Sequence, residues 1–212
     1  SGCIGASRAA PGSGALVAAL PQPCPVGWQS AFVELEECAR PADTVEHIAA
    51  IIDLLPENHA VFVGNSLAIR QLDTHSGSGN KRLHFYGNRG ASGIDGNIST
   101  AVGIAAEHGQ VLALLGDLTT QHDIGGLALA QGRDVVIVTV NNAGGGIFDL
   151  LPQAALPEFE KGWRTPQQIN FEHAALCFGL SYVRAENAED LRGALSAAIV
   201  KGGPHLIELM LA

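Results

Sequence analysis

Positive charge is scarce in this chain of 212 residues: 12 lysines and arginines stand against 21 aspartates and glutamates, a formal net charge of −9. Phosphate backbones are held mainly by Lys and Arg, so a nucleic-acid partner is not expected. Charge of either sign is low, at 16% of residues, while 47% are hydrophobic; this speaks against disorder for most of the chain and calls for a large buried core. No apolar run approaches the roughly 20 residues that span a bilayer, and Gly14 to Leu20 is too short and too poorly flanked for a signal peptide. The four cysteines, Cys3, Cys24, Cys38 and Cys177, have no C-x-x-C spacing and read as reduced thiols of a cytosolic-type compartment. The eight histidines form no H-E-x-x-H, and no G-x-x-x-x-G-K-[ST] occurs. Gly90, Gly93 and Gly96 do not directly follow a strand, as a dinucleotide fingerprint requires.

What is present divides the chain in three. Residues 1–27 are rich in Gly, Ala, Ser and Pro and read as a linker or fragment start. Residues 28–42 read as an amphipathic connecting helix stopped by Pro41, and residues 43–212 as one domain. Asp43 with Glu46 resembles a capping box, followed by Val45, Ile48, Ala49, Ile52 and Leu55 on one helical face. Helical patterns over Ser66 to Asp73, Asn97 to His108, Gln121 to Gln131, Ile169 to Phe178 and Ala188 to Val200 then alternate with strand-like runs. Those runs lie at Ala60 to Gly64, His84 to Tyr86, Val111 to Leu115, Val135 to Val140, Ser181 to Arg184 and His205 to Met210. Alternation with nearly wholly apolar strands predicts a doubly wound α/β fold, a mostly parallel sheet with helices on both faces.

The stretch GDLTTQHDIGGLALAQGRDVVIVTVNNAGGGIFDLLP, Gly116 to Pro152, is the most informative. Gly116-Asp117 closes one buried strand and Asn141-Asn142 another, so an acid and an amide reach the same sheet edge, where ligands of such folds bind. Mg²⁺ takes hard oxygen ligands, with one or two protein carboxylates beside phosphate oxygens and water. Asp117, the side-chain oxygen of Asn142 and a backbone carbonyl in the run Ala143 to Gly146, taken as that of Gly144, fit this demand; Mn²⁺ would suit the same donors. Thr119 and Thr120 stand where a helix begins and can receive diphosphate oxygens there. The same residues also read as ordinary helix caps, and Asp117 likewise. Arg70 and Arg89 lie just beyond strands, where a guanidinium can grip a carboxylate, although solvated surface arginine is the plainer reading of the residues alone.

At Gly116-Asp117 and Asn141-Asn142 the chain resembles the thiamine diphosphate (ThDP) enzymes, whose signature is Gly-Asp-Gly, about 25 to 30 residues, then Asn-Asn. Leu118 replaces the third glycine. That departure, with the Ile147-Phe148 to Leu151-Pro152 ending, GNSLAIRQLD (Gly64 to Asp73) and GNRGASGIDGNISTA (Gly87 to Ala101), is similar to one family within them. These are the 2-succinyl-5-enolpyruvyl-6-hydroxy-3-cyclohexene-1-carboxylate (SEPHCHC) synthases.

The resemblance implies a ThDP- and Mg²⁺-dependent transferase of menaquinone or phylloquinone biosynthesis, which decarboxylates 2-oxoglutarate and adds the succinyl unit to isochorismate. It implies cofactor contacts at Gly90, Ser92, Ile94, Gly116, Asp117, Leu118, Thr119, Thr120, Asn142, Gly144 and Ile147, with Ile94 propping the bent cofactor. It further implies substrate contacts at Ser66, Arg70, Arg89, Ile147, Phe148 and Leu151. From the residues alone, the loop around Ile94 could be a simple glycine-rich turn, and Ile147, Phe148 and Leu151 plain core. The family's activating glutamate belongs to a separate pyrimidine-binding domain, reached across a homodimer or homotetramer interface. No catalytic residue is therefore expected in this chain, which is expected to be inactive alone. A cytoplasmic location follows, or a plastid in a photosynthetic eukaryote. Another ThDP-dependent 2-oxoacid decarboxylase, an acetohydroxyacid synthase, or a non-catalytic interaction module of the same fold are the alternatives.

Overall fold

The structure is a computed structural model that describes residues 46–76 and 81–211. The expected linker over 1–27, the connecting helix over 28–42 and the cap at Asp43 lie outside the described residues. Six strands, β1 (Ala60–Val63), β2 (His84–Tyr86), β3 (Gln110–Gly116), β4 (Asp134–Asn141), β5 (Ser181–Ala185) and β6 (His205–Met210), form one sheet in the order β2-β1-β3-β4-β6-β5. All five pairings are parallel, so the expected mostly parallel sheet is wholly so. Among the described residues the α-helices are α1 (Glu46–Leu54), α2 (Leu67–His75), α3 (Asn97–His108), α4 (Asp117–His122), α5 (Phe171–Cys177) and α6 (Ala188–Lys201). Among the described residues no helix is long and apolar enough to cross a membrane.

The period of two along a strand builds two cores from one sheet. Leu112, Leu114, Val136 and Val138 pack on one side with Ile48, Ile51 and Leu55 of the α1 region and Leu191 and Leu195 of α6. Val111, Ala113, Leu115, Val135 and Ile137 pack on the other with Ile98 and Val102 of α3, Leu127, and Phe171 of α5. The buried stripe of α1 runs through His47, Ile48, Ala50 and Ile51, rotated from the expected Ala49 and Ile52 face. Contacts with both α2 and α6, which no local pattern encodes, choose that face.

One helix differs from expectation. The segment Gln121 to Gln131 is not a single helix: α4 starts at Asp117 itself and stops at His122, and a 3₁₀ turn covers Ile124–Ala130. Asp123 turns its carboxylate onto the Ser99 backbone N–H at 2.9 Å, tying the break to α3. A Cβ on Gly126 would lie 2.9 Å from Ser99 Oγ and 3.1 Å from Ile98 Cβ, so the glycine lets this turn sit directly on α3.

The connection after β1, through α2, lies on the first core side, and that after β3, through α4 and the 3₁₀ turn, on the second. Adjacent parallel strands whose connections leave to opposite faces open a crevice at their carboxyl ends, the place where such folds bind ligands. Here it lies between β1 and β3.

Candidate functional site

A cleft of about 370 Å³ opens beyond the carboxyl ends of β1, β3 and β4. Its walls include Ser66, Arg70, Arg89, Ser92, Ile94, Gly116, Asp117, Leu118, Thr119, Asn142, Gly144, Ile147 and Phe148, all singled out from the sequence. Three others are not brought to it. Thr120 is fully buried beneath, its hydroxyl bonded to the Gly116 carbonyl at 3.0 Å and to Thr139 Oγ1 at 2.9 Å. It faces the interior because α4 begins at Asp117, which turns Thr120 towards β4. Gly90 is exposed on the outer part of its loop, and Leu151 is 42% exposed past the end of a 3₁₀ turn, away from the cleft lining.

Asp117 is the buried acid of the site, 2% exposed. Its Oδ1 accepts the Leu118 N–H at 2.8 Å, and its Oδ2 accepts the Gly144 N–H at 2.7 Å and Gln167 Nε2 at 3.1 Å. Burial raises its pKa above the ordinary carboxylate value, and the donors from Gln167, Leu118 and Gly144 oppose that rise. Gly144 has φ +139°, and a Cβ there would meet the Arg164 carbonyl at 2.5 Å; only glycine brings this amide to the carboxylate.

Arg164 fastens the glycine run from outside. Its carbonyl accepts the Gly145 N–H at 2.7 Å, its guanidinium donates to the Asn142 carbonyl at 3.0 Å, and it pairs with Asp149. The side-chain amide of Asn142 makes no hydrogen bond among the described residues, although it lines the cleft.

On the opposite wall, buried Asn65 staples the Gly87 to Gly96 loop to the end of β1. Its Nδ2 donates to the Asn88 and Gly93 carbonyls at 3.1 and 2.7 Å, and its Oδ1 accepts Arg89 Nη1 at 2.6 Å. Arg70 Nη1 donates to the Ser66 carbonyl at 2.7 Å. Among the described residues each arginine thus commits one donor of its five and stays exposed, which leaves the others for an anion.

The donors suit a hard divalent cation. Among the described residues Asp117 Oδ1 takes one hydrogen bond, from the Leu118 N–H, the Asn142 side-chain amide has none, and the Gly144 carbonyl accepts the Gly146 N–H alone, at 2.9 Å. Among the described residues no three His, Cys, Asp or Glu gather into a metal site, so a cation here needs oxygens from its ligand and from water, as Mg²⁺ prefers.

The sequence reading passed over Gln167 and Arg164, as well as the role of Asn65 as a staple. Asn65 could be found from its place at a strand end; Gln167, 50 positions from Asp117, carries no local signal.

Comparison with known proteins agrees with this geometry. Residues 71–209 match the family described as thiamine pyrophosphate enzyme, C-terminal TPP binding domain, thiamine pyrophosphate being another name for ThDP. The chain is 61% identical over 182 residues to the SEPHCHC synthase of Dechloromonas aromatica (strain RCB), covering 86% of this chain and 34% of that protein. It is 44% identical over 162 residues to the synthase of the same name from Salinibacter ruber (strain DSM 13855 / M31), covering 76% and 27%. With that of Roseiflexus castenholzii (strain DSM 13941 / HLO8) it shares 42% over 199 residues, covering 86% and 34%. The chain therefore spans about a third of the length of these curated relatives. With its parallel sheet, its switch-point cleft and its Gly-Asp and Asn-Asn strand ends, the chain belongs to the thiamine pyrophosphate enzymes as a C-terminal TPP-binding domain.

Proposed function

We propose that this chain is the cofactor-holding C-terminal portion of a SEPHCHC synthase, a ThDP- and Mg²⁺-dependent transferase that decarboxylates 2-oxoglutarate and adds the succinyl unit to isochorismate. The relatives' shared name supports this reading. The observation that carries it is the meeting, in one cleft, of Asp117, Asn142 and Gly144 with Ser66, Arg70 and Arg89. The first three hold the metal and through it the diphosphate. The exposed guanidiniums of Arg70 and Arg89, each with one donor committed among the described residues, bind substrate carboxylates by charge-assisted hydrogen bonds. Ile94, Ile147 and Phe148 form the apolar part of the cleft, shaping the cofactor's seat and keeping water from it. When bound, ThDP supplies the electron sink for the decarboxylation.

The activating acid comes from a pyrimidine-binding domain of the same protein, contributed across a homo-oligomer interface. The 212-residue chain by itself therefore makes no product from the two substrates. The enzyme works in the cytoplasm. The test is Asp117→Ala in the full-length enzyme: Mg²⁺-dependent ThDP binding measured by calorimetry is lost while the unfolding temperature of the cofactor-free protein is kept. Unchanged Mg²⁺-dependent affinity would remove Asp117 from the site.

A further inference from the structure

Under the cleft floor a line of side-chain hydrogen bonds runs from β5 to Asp117. Tyr182 Oη donates to Glu208 Oε2 at 2.5 Å, and Asn141 Nδ2 donates to Glu208 Oε1 at 2.6 Å. Asn141 Oδ1 accepts the Ala143 N–H at 3.0 Å and Gln167 Nε2 at 3.1 Å. Gln167 Nε2 then reaches Asp117 Oδ2, also at 3.1 Å. Asn141 and Glu208 are 7% and 6% exposed, so these groups have little water to turn to.

Two backbone N–H groups fix which way the amides face. Ile169 N–H donates to Gln167 Oε1 at 2.7 Å, so the nitrogen of Gln167 must be the atom between Asp117 and Asn141. Ala143 N–H does the same for Asn141 Oδ1. Both hydrogens of Gln167 Nε2 are then committed, one to each neighbour. Asp117 Oδ2, with donors from Gln167 and Gly144, has both lone pairs filled, and the carboxylate cannot rotate without breaking these two bonds and the one from Leu118. Oδ1, with the Leu118 N–H as its one partner among the described residues, keeps a lone pair open to the cleft.

We propose that Gln167 is a positioning residue for the metal: its amide bridges Asp117 and Asn141, saturating one oxygen of the carboxylate and presenting the other to the cation. The assignment rests on the Mg²⁺–ThDP reading of the cleft. Partners that orient a metal ligand typically change metal affinity by about 10- to 100-fold when removed.

The experiment uses the full-length enzyme and two variants. Gln167→Met keeps the length and deletes the bridge; Gln167→Glu keeps the shape and the acceptor for Ile169 but turns an oxygen towards two oxygens. ThDP binding at fixed cofactor is followed by calorimetry across a Mg²⁺ titration, and the unfolding temperature of the cofactor-free proteins is measured alongside. Expected is a Mg²⁺ midpoint raised about 10- to 100-fold in both variants, with full binding amplitude recovered at saturating Mg²⁺ and the cofactor-free unfolding temperature kept. A bridge serving only the fold would lower that temperature and leave the midpoint in place. A wild-type midpoint in either folded variant overturns the proposal, and so does loss of the cofactor-free fold in both, which would assign the bridge to folding. Wild-type enzyme that binds ThDP without Mg²⁺ dependence overturns the cofactor reading and this inference together.

Discussion

Ser66 joins the end of β1 to the first residue of α2 at φ 69° and ψ −128°, a conformation that glycine adopts freely and a Cβ resists. Strain of this kind amounts to about 1–3 kcal/mol and persists where the surroundings hold it. Here they do: Gly64 before it is wedged against Leu115, Asn65 is pinned by three hydrogen bonds, and Arg70 grips the Ser66 carbonyl. The Ser66 hydroxyl caps no helix N–H, so it offsets none of the strain. Ser66→Gly removes the strain and costs about 0.5–1 kcal/mol in backbone freedom of the unfolded chain. The net is a gain of about 1 kcal/mol, or roughly 2–4 °C for a domain of this size class. Ser66→Ala keeps the Cβ and should stay within about 0.5 kcal/mol of wild type. Thermal unfolding of the chain and both variants, in one buffer, measures the difference. On the proposal that the Ser66 hydroxyl contacts substrate in the full-length enzyme, both variants should lose about 1 kcal/mol or roughly fivefold in kcat/KM. A glycine variant that melts at or below the alanine variant would refute the strain argument, and wild-type kcat/KM in both would remove the hydroxyl from substrate binding.

Arg70→Ala and Arg89→Ala should each lower kcat/KM by about 10- to 100-fold through loss of a charge-assisted contact. Steady-state kinetics with 2-oxoglutarate and isochorismate varied separately would show which carboxylate each arginine serves, and wild-type values for both variants would exclude them. A Cβ on Gly146 would lie 2.3 Å from Asn142 Nδ2 and 3.3 Å from Leu67 Cδ1, so Gly146→Ala should push the Asn142 amide aside at a stability cost of about 1 kcal/mol. Mg²⁺-dependent ThDP affinity should fall at least tenfold; a crystal structure with Asn142 unmoved would contradict the reasoning. His47 and His59 are buried, with no partner for Nε2 among the described residues, and burial depresses both pKa values below 6.5. In the unfolded chain they take up protons as pH falls through 6.5, while the folded chain resists, so their penalty is absent above that pH and grows below it. Urea unfolding between pH 7.5 and 5 should show this loss of stability, and a His47→Gln/His59→Gln double variant should show a flatter profile.

Much of the architecture was legible locally. Strand β6 and helix α3 have the expected bounds, because a mostly buried apolar run or a stripe at helical spacing is a property of neighbouring positions, and the short, largely exposed β2 also falls where it was expected. Asp117 and Asn142 could be placed at one sheet edge from sequence because parallel strands share an end, whatever the path between them. Where local pattern and packing disagreed, packing prevailed: α4 starts four residues early and breaks at Asp123, where a carboxylate and a close-fitting glycine bind the turn to α3. That early start also buried Thr120, which the pattern had offered to the cofactor.

The sequence by itself determined the alternation of elements, the nearly wholly apolar central strands and the residue types at their ends. Those follow from spacing and side-chain chemistry that the chain carries everywhere along its length. Only the tertiary structure decided that the cleft opens between β1 and β3, that Asn65 fastens the Ile94 loop, and that Arg164 and Gln167 return from an irregular segment to hold Asn142 and Asp117. A neutral amide has no periodic signature, and the course of a loop with little regular structure is set by what it meets. Such partners become visible only once the backbone has closed on itself.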